Sequence, residues 1–391
     1  MSAPEILERF GRRLRVGFVG GGAGSVIGRT HLLALRADGL AELVAGCLSS
    51  DPDRADASAR ALLLPPERSY PDWRTMIERE RDRADGIDVA VIITPPLYHA
   101  EIAEGFLAAG MSVLCEKPMT ATLAEAEALT KAVESSTGLF AVTHCYTGYP
   151  MVREARHLVR SGALGEIRLV EGQFAGGEPS LLREPGDPST RHWRFRASAM
   201  GRASLLGEIG SHVHNIVEYV TGHRVTEVSA HLSTVAARRE VYDNAYLTVG
   251  FGNGAAGRLW SSFVAAGAEH GLEFRIFGDD GSLHWRQDDP EYLWLLRPGR
   301  GMTRVSRGMA TTSGFSQAAT RIRPGHPEGY LMAFANIYRD CAHAVMRTRL
   351  GEDASRELAA LPDVRDGLST MRLLEAAVAA HESGRTVPVG G

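Results

Sequence analysis

Between residues 14 and 146 the chain alternates short apolar, β-branched runs with helical runs, and few folds accept that pattern. The runs LRVGFVG (14–20), AELVAGCL (41–48), IDVAVIITPP (87–96), MSVLCE (111–116) and LFAVTHCY (139–146) read as buried strands. Helical stretches such as HAEIAEGFLAAG and TLAEAEALTKAVESS separate them. Alternation of this kind predicts βα units, a parallel sheet, and ligands at the carboxyl ends of the strands. Those ends fall at 20–28, 49–51, 94–96, 116–117 and 144–146, and they are expected to converge on one crevice.

The first of these ends is glycine-rich. Gly20, Gly21, Gly22, Gly24 and Gly28 crowd one turn, and a helical pattern begins near Ile27. A strand, a glycine turn and a helix start together make a phosphate cradle. Backbone N–H groups point at the anion, and missing side chains let it approach. The spacing is not GxGxxG: it reads as GxGxxxG from Gly22, or as Gly20-x-Gly22 with an insertion before Gly28, so the context carries the reading more than the turn does. A dinucleotide is expected here. The residues expected to hold it are Gly20, Gly22, Gly24, Ile27, Gly28, Ser49, Ser50, Thr94, Pro95, His99, Glu116, Lys117 and His144. An acidic residue usually takes the ribose hydroxyls of NAD at the second strand end. Leu48 or Ser49 stands there, with Asp51 and Arg54 just beyond. NAD is expected, and NADP is left open.

The run SVLCEKPMTAT (112–122) ends a strand in Glu116, Lys117 and Pro118. A lysine at a strand end is most often a solvated residue. This one lies where ligands bind, with Glu116 beside it to hold the charge. Pro118 restricts the backbone of Lys117 to extended conformations. An ammonium in a dry cleft polarises a hydroxyl or carbonyl oxygen. Arginine greatly outnumbers lysine along the chain, so this position stands out.

Three segments together resemble the glucose–fructose oxidoreductase / inositol dehydrogenase / MocA family: GFVGGGAGSVIGRTH, VIITPPLYHAEIAEGFLAAGMSVLCEKPMTATLAEAEAL and SLLGEIGSHVHNIVEYVTG. The resemblance covers nearly the whole chain. It implies an α/β protein with a Rossmann dinucleotide-binding domain over 1–146. A C-terminal α+β domain over 147–391 would hold a large, mostly antiparallel sheet, and the last helices can pack back on the first domain. It implies hydride transfer between a nicotinamide and a ring hydroxyl of a sugar or cyclitol, with Lys117 in the place of the family lysine. It also implies a homodimer or homotetramer formed through the C-terminal sheet.

In SLLGEIGSHVHNIVEYVTG, Leu205, Ile209, Val213, Ile216 and Val220 share one helical face. Glu208, His212 and Asn215 follow at i, i+4 and i+7 on another. Such a stripe presents a base and a carboxylate that orients it, or it is a solvated polar face. The family resemblance puts its histidine at His212, with Glu208 and Asn215 where aspartates are usual. His214 projects elsewhere. The expected catalytic set is Lys117, His212 and Glu208.

Beyond residue 147 the runs RLVEGQFAGG, TEVSAHLSTV, NAYLTVGFGNGAAGRLWSSFVA, LEFRIFGDDGSLHWRQ and EYLWLL read as strands, with GNG and GDDG as hairpin turns. Arg191, His192, Trp193, Arg194 and Arg196 crowd a loop just before the histidine helix. That loop is either solvated or a seat for an anionic substituent, since guanidinium forks suit such groups. His326 and Tyr330 open a long amphipathic helix. The expected substrate contacts are Lys117, Tyr146, Arg191, Trp193, Arg194, His212 and His326, on a sugar, cyclitol or glycoside, with an anionic one among the options.

Composition narrows the rest. The 391 residues are 44% hydrophobic and 23% charged, with a net charge of −4, which offers no basic footprint for nucleic acid. There is no signal-peptide core near the start and no apolar run of the ~18 residues a span needs, so a cytoplasmic protein with no membrane partner is expected. The four cysteines, Cys47, Cys115, Cys145 and Cys341, are far apart, and neither a metal site nor a disulfide is expected. A second class of function uses the same residues. It is a redox-neutral glycosidase that oxidises a ring hydroxyl transiently, eliminates the aglycone, adds water and returns the hydride. A non-catalytic dinucleotide sensor would lack the lysine and the histidine.

Overall fold

The computed structural model describes residues 3–177, 195–197 and 201–390. The chain divides into two compact units. The first comprises Met1–Gly148 with Tyr330–Leu368, and the second comprises Tyr149–Gly329 with Ser369–Gly391.

Five parallel strands form the core of the first unit: β1 (Leu14–Gly20), β2 (Ala41–Cys47), β3 (Val89–Ile93), β4 (Ser112–Cys115) and β5 (Phe140–Val142). Their order is β2-β1-β3-β4-β5. The chain therefore winds outward from β1 in both directions, and the carboxyl ends of β1 and β3 flank the switch point where ligands bind in such sheets. All of β3, β4 and β5 is buried, which explains why these strands read as unbroken apolar runs rather than alternating ones. The helix Gly329–Arg349 belongs to this unit from Tyr330 onward. Its Asn336 side chain donates to the Gly148 carbonyl at 2.8 Å. A Cβ at Gly148 would lie 2.0 Å from the Ala333 carbonyl oxygen, so only glycine permits this approach.

A nine-stranded sheet dominates the second unit, in the order β13-β12-β11-β10-β6-β9-β8-β7-β14. The strands are β6 (Ile167–Ala175), β7 (Val225–Ser233), β8 (Asn244–Phe251), β9 (Ala256–Ser262), β10 (Gly271–Gly278), β11 (Gly281–Arg286), β12 (Tyr292–Arg297), β13 (Gly301–Ser306) and β14 (Val387–Pro388). The GNG and GDDG turns join antiparallel neighbours as expected. Where β6 pairs with β9 the sheet is parallel. The helix Ser211–Thr221 packs on one face, and a Cβ at Gly172 would lie 3.0 Å from both Val213 and Val217. Alternate strand residues leave Leu169, Tyr246, Leu296 and Met302 exposed, with Tyr246 stacked on Trp260.

The expected single helix through residues 205–220 differs in one respect. Leu206–Gly210 is a π-helical turn, and the α-helix proper starts at Ser211. Glu208 therefore lies in the wider turn, so its relation to His212 is not that of two residues on one α-helix. The helix ends at Gly222 with φ +74°, the left-handed cap that glycine accepts without strain.

Glu218 fixes this helix. Its buried carboxylate pairs with His214 Nε2 at 3.0 Å and accepts from Arg224 at 2.6 Å, the Val225 N–H at 2.8 Å and the Ser369 hydroxyl at 2.9 Å. Burial alone would raise its pKa. The His214 charge and hydrogen bond, with Arg224 and the Val225 N–H, outweigh burial and bring it down to about 2. A depressed carboxylate contributes stability that is present above the unfolded value near 4.5 and is lost as pH falls toward 2. Among the described residues, no helix is long and apolar enough to cross a membrane. Glu218→Gln should cost about 3–5 kcal/mol near neutral pH. Denaturant melts should show the gap between wild type and variant narrowing as pH falls below about 4.5.

Candidate active site

The glycine turn is built as a cradle. Gly20, Gly21 and Gly24 have φ of +84°, +73° and +86°. A Cβ at Gly28 would lie 2.2 Å from the Gly21 carbonyl oxygen, and one at Gly22 would lie 2.6 Å from the Leu48 carbonyl oxygen. Ser25 caps the helix Val26–Arg36 by accepting the Gly28 N–H at 3.0 Å. The amides of Val26 and Ile27, in the first turn, have no intrahelical acceptor. The Ala23 N–H donates to Ser58 at 2.8 Å, and the Gly22 N–H to the Leu48 carbonyl at 3.2 Å, so the turn is tied to the end of β2. At the end of β3, Thr94 Oγ1 is buried with no hydrogen-bond partner among the described residues. A hydroxyl orphaned at a ligand-binding strand end is a donor left for a ligand. The cradle and this open donor fit a dinucleotide.

The second strand end offers less charge than its sequence promises. Asp51 is the N-cap of the helix Pro52–Ala61, accepting the Arg54 N–H at 2.9 Å, and Ser49 Oγ accepts the Asp51 N–H at 3.1 Å. Ser50 and Arg54 are exposed. His99 also departs from expectation. Its ring is fully buried, with Nδ1 2.9 Å from the Pro118 carbonyl oxygen and Nε2 2.7 Å from the Thr94 carbonyl oxygen. Burial lowers its pKa. Both ring nitrogens face the protein's own backbone, so His99 braces the ends of β3 and β4 rather than offering a ring nitrogen to a cofactor.

Lys117 follows β4, and its peptide bond to Pro118 is cis. Glu116 beside it is buried and engaged by three groups. Oε1 lies 2.9 Å from His31 Nε2 and accepts from the Thr143 hydroxyl at 2.5 Å, while Oε2 accepts the Lys117 N–H at 3.0 Å. His31 Nδ1 in turn lies 2.6 Å from the Tyr338 hydroxyl. Burial raises the Glu116 pKa, but the His31 hydrogen bond and charge, the Lys117 charge and the Thr143 hydroxyl bring it down to about 2. The carboxylate thus acts on the ammonium through its field while its oxygens hold other donors. At the end of β5, His144 and Tyr146 are buried. The Tyr146 ring packs against Tyr330 at 5.9 Å, and Cys145 Sγ lies 3.8 Å from the Tyr330 hydroxyl. Burial pushes the Cys145 thiol up to about 12, so it is no thiolate near neutral pH.

In the second unit His212 is buried on the helix Ser211–Thr221, Asn215 is buried one turn on, and Glu208 is half-buried in the π turn. The exposed His326 lies in a stretch held by Arg307, which donates to the carbonyls of Ile322 at 2.6 Å and His326 at 2.5 Å. Arg307 also pairs with Glu291 at 2.6 Å and Glu328 at 2.8 Å. Arg191, Trp193 and Arg194 lie outside the described residues. The structure therefore gathers Gly20, Gly22, Gly24, Ile27, Gly28, Ser49, Ser50, Thr94, Pro95, Glu116, Lys117 and His144 at the strand ends of the first unit. It sets His212, Glu208 and His326 in the second. His31, Thr143 and Tyr338 were not foreseen.

Residues 14–144 match the profile of the oxidoreductase family with an NAD-binding Rossmann fold, and residues 152–284 match the GFO/IDH/MocA C-terminal domain. The chain belongs to the Gfo/Idh/MocA family. Its Rossmann unit is the NAD-binding part of an oxidoreductase, and the cradle described above supplies the fit. The oxidoreductase YfiI of Bacillus subtilis is 31% identical over 95% of each chain. The structure of an inositol dehydrogenase homologue from Azotobacter vinelandii complexed with NAD+ is 34% identical, with a TM-score of 0.89 over 96% of this chain and 97% of that one. The same source gives a complex with NADH and myo-inositol, at a TM-score of 0.86 over the same shares. Levoglucosan dehydrogenase of Pseudarthrobacter phenanthrenivorans is 28% identical over 81% of this chain and 82% of its own. A levoglucosan dehydrogenase structure with NADH and levoglucosan has a TM-score of 0.82 at 27% identity, over 97% of this chain and all of that one.

Gly28→Ala should weaken NADH binding at least ~10-fold, because a methyl there forces the turn open. Titration of NADH fluorescence measures this, and a melt of the ligand-free protein checks that the fold survives.

Proposed function

We propose that this chain oxidises a ring hydroxyl of a sugar or cyclitol, with Lys117 and His212 acting on the hydroxyl. The observation that carries this reading is the pinned Lys117, held at a strand end beside a dinucleotide cradle by an ionised, buried carboxylate. NAD, when bound, supplies the acceptor for the hydride that leaves the substrate carbon. His212 accepts the hydroxyl proton as general base. Lys117 stabilises the negative charge that develops on the oxygen. Glu208 orients His212. Tyr146, His326, Arg191, Trp193 and Arg194 are proposed to contact the substrate.

The relatives support the substrate class. The Azotobacter homologue was captured with myo-inositol, and levoglucosan dehydrogenase with levoglucosan. Both are polyhydroxylated rings, so these two compounds head the panel. NADH formation should follow addition of NAD+ and a ring polyol from such a panel, read at the nicotinamide absorbance. Release of an aglycone from a glycoside without net NADH would instead favour the redox-neutral cleavage and overturn this reading. Lys117→Ala and His212→Ala should each lower turnover ~10²-fold or more while NADH binding is retained. Near-normal turnover in Lys117→Ala would remove the lysine from the reaction.

The open face of the nine-stranded sheet is proposed as the contact between subunits. It exposes Tyr246, Leu296 and Met302, an apolar set that a second copy would cover. Tyr246→Lys with Leu296→Lys should shift the sedimentation velocity to a smaller species, and an unchanged oligomer would exclude this face.

A further inference from the structure

We propose that His31, Thr143 and Tyr338 are positioning residues for Lys117, acting through Glu116. The inference rests on the reading of Lys117 as the group that meets the substrate oxygen. All five residues lie in one compact unit, although they come from four separate parts of the chain. His31 is on the helix that follows the glycine cradle, Thr143 follows β5, and Tyr338 is on the helix Gly329–Arg349.

The chemistry runs in one direction. A carboxylate only accepts, so the Glu116 oxygens need donors to stay charged in a dry site. Thr143 supplies an O–H at 2.5 Å, and His31 approaches at 2.9 Å through Nε2, which must carry hydrogen to bond there. The Tyr338 hydroxyl, 2.6 Å from Nδ1, holds the imidazole in that orientation. With Oε1 so anchored, Oε2 is fixed where it takes the Lys117 N–H at 3.0 Å. The lysine's peptide is thereby set by a side chain whose own position is fixed from three sides. His31 and Tyr338 are fully or nearly fully buried, with exposures of 0% and 7%, and Phe334 packs edge-on against the His31 ring. Other titratable groups that feel this carboxylate are Lys117, Cys115, Cys145, Tyr330 and His99. Burial pushes the two thiols and Tyr330 upward and His99 downward.

Composition provides a probe that needs no substrate. The only lysines in the chain are Lys117 and the exposed Lys131. Protein labelled with [13Cε]lysine should show two side-chain resonances, and Lys131→Arg assigns them. Tyr338→Phe and Thr143→Val each remove one hydroxyl and little volume. In wild type, Glu116 stays ionised down to about 2, and the Lys117 resonance should show no carboxyl inflection between pH ~4 and ~6. The Glu116 carboxyl should titrate higher in Thr143→Val because a donor to Oε1 is lost, and in Tyr338→Phe because His31, which donates to Oε1, loses the hydroxyl that orients it. An inflection should then appear in the Lys117 resonance within that window, with Lys131 unmoved and the NADH affinity within about threefold. Superimposable Lys117 titrations in both folded variants and wild type would overturn the inference. So would parallel movement of both lysines, which marks general loosening. The readout is independent of turnover. An inactive Lys117→Ala with unmoved resonances sinks only the positioning role, and an active Lys117→Ala with a moved Lys117 resonance sinks only the catalytic one.

Discussion

The buried carboxylate of Glu116 is the constraint on which the first unit's geometry depends. An unpaired charge in that position would cost several kcal/mol or take up a proton. It is tolerated because donors arrive from the cradle helix through His31, from the end of β5 through Thr143, and from the chain's own next peptide at Lys117. One oxygen pair therefore ties together the dinucleotide turn, two strand ends and, through Tyr338, a helix more than three hundred positions from His31. The second oxygen holds the Lys117 N–H, so the proposed positioning role runs through that bond.

The second unit repeats the device with different residues. Glu218 is held ionised near the value of Glu116, also beside a histidine, and also against burial that opposes it. It clamps the helix carrying His212 to the start of β7 and to Ser369. His214 and His212 are two positions apart on an α-helix, so they project to nearly opposite sides. One imidazole anchors the helix, which leaves the other side of it to present His212. Lys117 and His212 thus each stand next to, or one step removed from, a histidine–carboxylate pair.

Much of this was legible because the signals are local. The five Rossmann strands, the hairpin turns and the lysine at a strand end all follow from runs of ten residues or fewer. The Glu116 network was not legible, because His31 and Glu116 are 85 positions apart and His31 and Tyr338 are 307 apart. No periodicity links such residues; only the folded sheet brings them together. The π turn at Leu206–Gly210 escaped for another reason. Glu208 and His212 keep the i, i+4 spacing of an α-helix in sequence, and the extra residue in the turn leaves no mark on the apolar pattern. His99 departs from its expected role for a similar reason: it stands at a ligand-binding strand end, but two backbone carbonyls claim its ring nitrogens.

The choice of lysine at position 117 follows from what surrounds it. Arginine supplies nearly all other cationic side chains in this chain, so composition alone would favour arginine here. A guanidinium is planar, carries its donors in a fixed fork and cannot give up a proton near neutral pH. Beside a buried carboxylate it would form a bidentate pair, and its donors would turn inward. An ammonium is a compact point charge with three donors on a flexible stem. Glu116 already holds hydrogens on both oxygens from other groups, so it attracts that charge through the field without needing its N–H bonds. Pairing this carboxylate with a lysine sets a compact point charge at the strand end, which is what the proposed role beside a developing negative oxygen requires.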